Sequence, residues 1–208
     1  MSSTAVKICG VNSPDAFDAA VGALADYVGF VFFPPSPRFV TPARAAELSA
    51  RQTAGPKRVG LFVEPSDQEI QSTLDQIDLD CLQLYADGNR CRTVKARFGL
   101  PVWRAVGVSI PAELPPSDDG LDGLVLEAKP PPGSTRPGGN AATMDHALLR
   151  GWHGARFWLL AGGLTAQNVA AVVAQIGPPG VDVSSGVEIA PGVKSPQLIA
   201  QFVAAARR

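Results

Sequence analysis

An excess of charge of either sign is missing from this sequence: 18 Lys and Arg stand against 19 Asp and Glu, a formal net charge of -1. So balanced a chain carries no electrostatic footprint for nucleic acid or an anionic membrane. Long apolar runs are also missing; none approaches the roughly 20 residues of a transmembrane helix, and the first residues lack a secretory apolar segment. Cysteine is scarce, and Cys9, Cys81 and Cys91 form neither a C-x-x-C pair nor an even framework, which points to a reduced, cytoplasmic setting. Histidine is scarcer still: His146 and His153 have no metal-ligand spacing around them, so no metal is expected. No G-x-G-x-x-G follows the first strand-like segment, which speaks against a dinucleotide fold. What remains is a cofactor-free protein whose partner is a small molecule, with no nucleic acid and no membrane.

The residues present are those of a packed domain. Hydrophobic residues make up 46% and charged ones 18%, and 208 residues suffice for one domain over 1–208 with a sizeable core. Short apolar segments alternate with amphipathic ones along the whole chain. Strands are expected at 6–11, 27–33, 58–63, 81–85, 102–108, 123–129, 157–160 and 181–184. Helices are expected at 14–25, with Phe17, Ala20, Val21 and Leu24 on one face, at 41–51, after Ser66 with Ile70 and Leu74 inward, and at 89–98. Further helices are expected at 145–152, at 165–176 behind Thr165 as N-cap, and at 195–206, whereas the proline-bearing 110–120 segment allows only a short one. Helical crossovers imply parallel strands, and no strand reads as a polar edge, so the fold class is α/β, a (β/α)8 TIM barrel. The 130–143 segment, rich in Pro and Gly, is long for a connection and hints at a working loop.

In such a barrel the site lies at the C-terminal ends of the strands. Two consecutive strands there run into small residues, Ala161-Gly162-Gly163-Leu164 and Ser184-Ser185-Gly186, and backbone N–H groups exposed by such exits suit a phosphate. Gly162, Gly163, Ser184, Ser185 and Gly186 are the candidate phosphate grip. Arg38, on a loop stiffened by Pro34, Pro35 and Pro37, offers a planar fork for a second anion such as a carboxylate. Cys9 and Glu127 remain as a thiol and a carboxyl able to act as base and acid. Arg136, in the long loop, is either a solvated charge or a further anion contact, and Lys7 has no assigned role.

Several segments occur in one order: Lys7-Ile8-Cys9-Gly10, Gly29-Phe30-Val31-Phe32 with Ser36-Pro37-Arg38-Phe39-Val40, Val59-Gly60-Leu61-Phe62-Val63 and Leu82-Gln83-Leu84. They continue with Leu160-Ala161-Gly162-Gly163-Leu164 and Val181-Asp182-Val183-Ser184-Ser185-Gly186-Val187-Glu188. The ordered set resembles the phosphoribosylanthranilate isomerase family of tryptophan biosynthesis over essentially the whole chain. The resemblance implies an Amadori rearrangement, in which an N-linked aldose phosphate opens and becomes a 1-deoxyketose amine. It implies Cys9 as base, a carboxylic acid at Glu127, Arg38 on the anthranilate carboxylate, and Asp182 facing the pocket. The sequence also departs from the family. Glu127 stands where the family has Asp, and Tyr85-Ala86 where it has His-Gly. Gly138-Gly139-Asn140-Ala141 and Met144-Asp145-His146 replace Gly-Gly-x-Gly and Phe-Asp-Trp. Two other readings stay open: a paralogue acting on a different N-substituted ribosyl phosphate, or a barrel that binds a phosphorylated metabolite without turnover. A monomer or a homodimer fits equally.

Overall fold

Apolar, β-branched segments bounded by Pro, Gly and Asp become eight parallel strands: β1 (Ala5–Cys9), β2 (Tyr27–Val31), β3 (Lys57–Val63), β4 (Cys81–Tyr85), β5 (Val102–Val108), β6 (Gly123–Ala128), β7 (Trp158–Leu160) and β8 (Gly180–Val183). The computed structural model describes residues 4–129, 133 and 144–208. Arg136, Gly138, Gly139, Asn140 and Ala141, singled out in the sequence, lie outside the described residues. The strands pair in chain order and β8 closes on β1, with Lys7 opposite Asp182. This is the closed (β/α)8 barrel that the alternation predicts.

The helices around it are α1 (Pro14–Gly22), α2 (Pro42–Ser49), α3 (Asp67–Leu74), α4 (Gly88–Phe98), α5 (Val169–Ile176) and α6 (Pro196–Ala206). Ser13, Thr41, Ser66, Asp87 and Ser195 each cap one of them, accepting from the N–H three residues on. Ser66 and Glu69 complete a reciprocal capping box.

Three expectations are corrected and one element is new. α1 stops at Gly22, because Leu24 takes φ 61° and leaves the helical face it was assigned to, 72% exposed, while Ala25 turns inward. The 145–152 helix is only a 3-10 turn, His146–Leu149, capped by Asp145 and ended by Gly151 at φ 73°. α5 begins at Val169 rather than Thr165, because the Asn168 side chain is used on the preceding loop: its Oδ1 accepts from Thr165 N–H at 2.8 Å, and its Nδ2 donates to Gly163 O at 3.0 Å. Beyond β8 the chain forms an unforeseen hairpin, β9 (Glu188–Ala190) and β10 (Val193–Lys194), turning at Gly192.

Alternation along the strands divides the core. Val6, Ile8, Phe30, Leu82, Leu84, Leu124 and Leu126 face outward and pack with Phe17 and Phe202 of the helices. Val59, Cys81, Trp103, Ala105, Val125 and Leu159 fill the barrel itself. Its N-terminal end is plugged by Tyr27, Trp103 and Phe157, with Tyr27 edge-on to Trp103 at 4.9 Å between centroids and Phe157 5.3 Å from Trp103. The bottom is closed by aromatics, so the functional groups collect at the other end.

Candidate active site

The inward positions at the C-terminal ends of the strands bring the sequence candidates together. Cys9 ends β1 and Tyr85 ends β4, Glu127 is the penultimate residue of β6, and Asp182 lies on β8. Cys9, Arg38, Glu127 and Asp182 are all buried, at 5–7% exposure. Their charges are therefore screened little by water and act on one another strongly.

Cys9 is a free thiol. Burial pushes its pKa up, and the Lys7 ammonium works against that shift. Beside Cys9 on β2 stands Gly29, whose missing Cβ would fall 3.1 Å from Cys9 Sγ and 3.2 Å from Lys7 Nζ. Both groups thus use the space that a larger residue would occupy. Lys7 is fully buried and donates to Asp182 Oδ1 at 2.9 Å. Burial opposes its charge, but Asp182 and Cys9 more than offset this and hold the ammonium above the ordinary lysine range.

Burial raises the Glu127 carboxyl to about 7, against the Tyr85 hydroxyl that is turned toward it. Among the described residues Glu127 Oε1 has no hydrogen-bond partner. A carboxyl that is neutral or half-neutral at pH 7 can donate a proton, which an ordinary carboxylate does poorly. Tyr85 therefore belongs to the site, and burial followed by the Glu127 charge lifts its own pKa well above the phenolic range.

Arg38 reaches the site over Gly10, which takes φ 73° and whose added Cβ would lie 2.7 Å from Arg38 Cδ. Its backbone N–H donates to Ser36 Oγ at 3.1 Å. Its guanidinium forms a fork on Glu188 of β9, Nε to Oε1 at 2.7 Å and Nη2 to Oε2 at 2.8 Å. Glu188 also accepts from the buried Lys194 of β10 at 2.9 Å. Burial would raise the Glu188 carboxyl, but Arg38 and Lys194 outweigh it and hold it at about 2. Glu188 carries no sequence signal beyond its place at the end of the 181–188 segment and Lys194 carries none, because strands of three and two residues leave no periodicity to read. The Pro191-Gly192 turn is the only local mark of the hairpin.

The two small-residue exits lie side by side. Gly162 and Gly163 take φ 89° and 69°, a backbone turn after β7 that favours glycine at both positions. Gly186 sits against Leu164 O, so close that a Cβ would overlap the carbonyl. Lys194 Nζ pins Ser184 O at 3.1 Å. Ser184 Oγ is buried and, among the described residues, without a hydrogen-bond partner. The N–H groups of Gly162, Gly163, Ser185 and Gly186 likewise donate to no carbonyl among the described residues. Small residues, uncommitted donors and a nearby buried lysine are the features that suit a phosphate. Gly186→Ala is expected to cost about 1–3 kcal/mol of stability, read by denaturant titration. It should also weaken binding of inorganic phosphate, because the Leu164 carbonyl and these donors cannot both keep their places.

Among the described residues no group of His, Cys, Asp and Glu is arranged to hold a metal ion, and no helix is long and apolar enough to cross a membrane.

Comparison with known proteins bears on the chain as a whole. The family model described as N-(5'phosphoribosyl)anthranilate (PRA) isomerase matches residues 6–205. N-(5'-phosphoribosyl)anthranilate isomerase of Acidiphilium cryptum (strain JF-5) is 54% identical over 200 residues, covering 96% of this chain and 97% of the relative. Among solved structures, monomers generated from the dimeric phosphoribosylanthranilate isomerase of Thermotoga maritima superpose with a TM-score of 0.80 at 31% identity, covering 98% of both chains. A phosphoribosyl anthranilate isomerase in complex with reduced 1-(O-carboxyphenylamino)-1-deoxyribulose 5-phosphate gives 0.81 at 30% identity, again covering 98% of both. Matched in sequence from the first strand to the last helix and in fold over the closed barrel, this chain belongs to the N-(5'-phosphoribosyl)anthranilate isomerase family.

Proposed function

We propose that the chain isomerises N-(5'-phosphoribosyl)anthranilate to its 1-deoxyketose amine by acid–base chemistry without a cofactor, a step of tryptophan biosynthesis. One observation carries the assignment of roles: a carboxyl raised to about 7 and a thiol countered by a buried ammonium share one barrel mouth. Glu127 gives its proton to the ribose ring oxygen as the C1–O bond breaks, leaving an iminium at C1. Cys9, as thiolate, takes the C2 proton, and the electrons of that C–H bond neutralise the iminium to give an enolamine. A proton shift from the enol oxygen to C1 completes the ketose. Gly162, Gly163, Ser184, Ser185 and Gly186 hold the phosphate and Arg38 the anthranilate carboxylate. Asp182 borders the pocket and is tied to Lys7.

Glu127 carries one methylene more than the family's aspartate. The carboxyl still lies at the barrel mouth beside Tyr85, where the family has histidine, and burial keeps it raised to about 7 despite that hydroxyl, which supports an acid role for the longer side chain. We further place the protein in the cytoplasm, because its three cysteines are buried free thiols. One barrel domain over residues 1–208 acts as a monomer or homodimer on this phosphorylated small molecule.

The test is consumption of phosphoribosylanthranilate, followed by fluorescence, with purified protein and nothing added. Turnover above about 0.1 s⁻¹, against typical enzymes at ~1–10³ s⁻¹, is the expected result. Binding without turnover would favour a non-catalytic barrel, and neither would point to another N-substituted ribosyl phosphate.

A further inference from the structure

We propose that Lys7 is a positioning residue for the reaction: its ammonium, fixed by Asp182, supplies the counter-charge that lets the Cys9 thiolate exist inside the barrel. The inference rests on reading Cys9 as the base. Side chains two apart on a strand share a face, so Lys7 points into the barrel one layer beneath Cys9. It is among the largest fully buried side chains of the protein. Its Nζ and Cys9 Sγ converge on the same point over Gly29, at 3.2 and 3.1 Å from where a Cβ would stand. Asp182 Oδ1, 2.9 Å from Nζ, fixes the ammonium from the neighbouring strand β8.

A purely structural purpose explains this placement poorly. A buried ion pair is often no more stabilising than apolar residues of the same volume, because both ions lose their hydration. Most of the neighbouring barrel interior is apolar, with Val59, Ala105 and Val125 as models for what would fill the space, and Gln83 on β4 is a buried polar side chain of that interior that carries no charge. An ammonium under a thiol has a chemical use instead, since only the thiolate abstracts a proton. Although Lys7 and Asp182 together are neutral, the ammonium acts more strongly on Cys9 than the carboxylate does. Other groups also bear on the thiol: Arg38 from the loop after β2, Tyr85 from β4 and Lys194 from β10, with Glu127 on β6 against Tyr85. Arg38 and Lys194 are ion-paired with Glu188, whereas Lys7 is ion-paired with Asp182 and also acts on the Glu127 carboxyl, whose pKa it lowers.

The experiment measures the rate at which iodoacetamide alkylates Cys9 in the unliganded protein from pH 6 to 11, with the modified peptide identified by mass so that Cys81 and Cys91 do not contribute. The double variant Lys7→Met/Asp182→Asn removes both charges and leaves neither buried alone. Its alkylation midpoint is expected to rise by about one unit or more, tenfold less thiolate at any pH below it. kcat should fall by a similar factor, with the affinity for inorganic phosphate unchanged. Lys7→Met alone, which leaves the Asp182 charge near the thiol, should raise the midpoint further. A midpoint that stays at the wild-type value in the double variant would overturn the proposal and leave the pair a structural one. The midpoint is read without turnover, so this outcome is separable from failure of the base assignment, which the turnover of Cys9→Ala tests on its own.

Discussion

Cys9→Ala is expected to lower kcat by about 10²–10⁴-fold, the usual contribution of a positioned general base, while the affinity for a carboxyphenylamino deoxyribulose phosphate product analogue changes little. Alanine removes one buried sulfur atom and leaves the glycine and serine loops after β7 and β8 and Arg38 untouched, since these are built by other strands and by the β9–β10 hairpin. Cys9→Ser should be no better. A hydroxyl in the same buried position ionises far less readily than a thiol, so Lys7 has no anion to stabilise. Single-turnover kinetics and titration with the product analogue separate the two effects. Loss of binding in parallel with turnover would make Cys9 a contact and not the base.

The second large effect is expected at Glu127. Glu127→Gln keeps the length of the side chain and its contact with Tyr85 but has no proton to give, so kcat should again fall by about 10²–10⁴-fold with product-analogue affinity nearly unchanged. Glu127→Asp restores the residue type of the family without its surroundings. The carboxyl would then withdraw from the position that Tyr85 lines, and misplacement of that order costs up to about 10²-fold. Aspartate should therefore be the poorer acid in this chain, and Tyr85→His together with Glu127→Asp should recover part of the loss. An aspartate variant faster than the wild type would show that the extra methylene is a defect the chain tolerates.

Much of the barrel is legible in the sequence, because a parallel strand buried on both faces has to be a short apolar run. β4 and β5 are read to the residue for that reason. Caps are equally plain where Ser or Thr precedes Pro, as at Ser13, Thr41 and Ser195. The corrected ends are places where tertiary partners override local preference: Asn168 is spent on the loop after β7, and Leu24 is turned out so that Ala25 can enter. In the site, Cys9, Arg38, Glu127 and the glycines carry marks of type and position. Lys7 carried a mark too, since the parity that sends Cys9 inward sends Lys7 inward with it. The same parity joins Gln83 to Tyr85 and Val125 to Glu127. Glu188 and Lys194 had no such mark; only the closed fold brings a hairpin of two short strands against the loop after β2.

The acid–base pairing makes one demand on protons that a single measurement examines. Burial raises Glu127 to about 7 and Cys9 above the ordinary thiol range, so between those ionisations the pair shares one proton, held mostly on sulfur. The reacting form, neutral Glu127 with thiolate Cys9, is the minor arrangement of that state. Below pH 7 both groups are protonated, and above the Cys9 ionisation neither is, so both extremes are inactive. The measurement is kcat/KM for phosphoribosylanthranilate from pH 5 to 10 in the wild type and in Glu127→Gln. A bell with its acid limb near 7 is expected in the wild type. In Glu127→Gln that limb should vanish, and residual activity should rise only as Cys9 ionises. A wild-type profile flat through pH 7, or an acid limb that survives in Glu127→Gln, would contradict the assignment of Glu127 as the acid and Cys9 as the base.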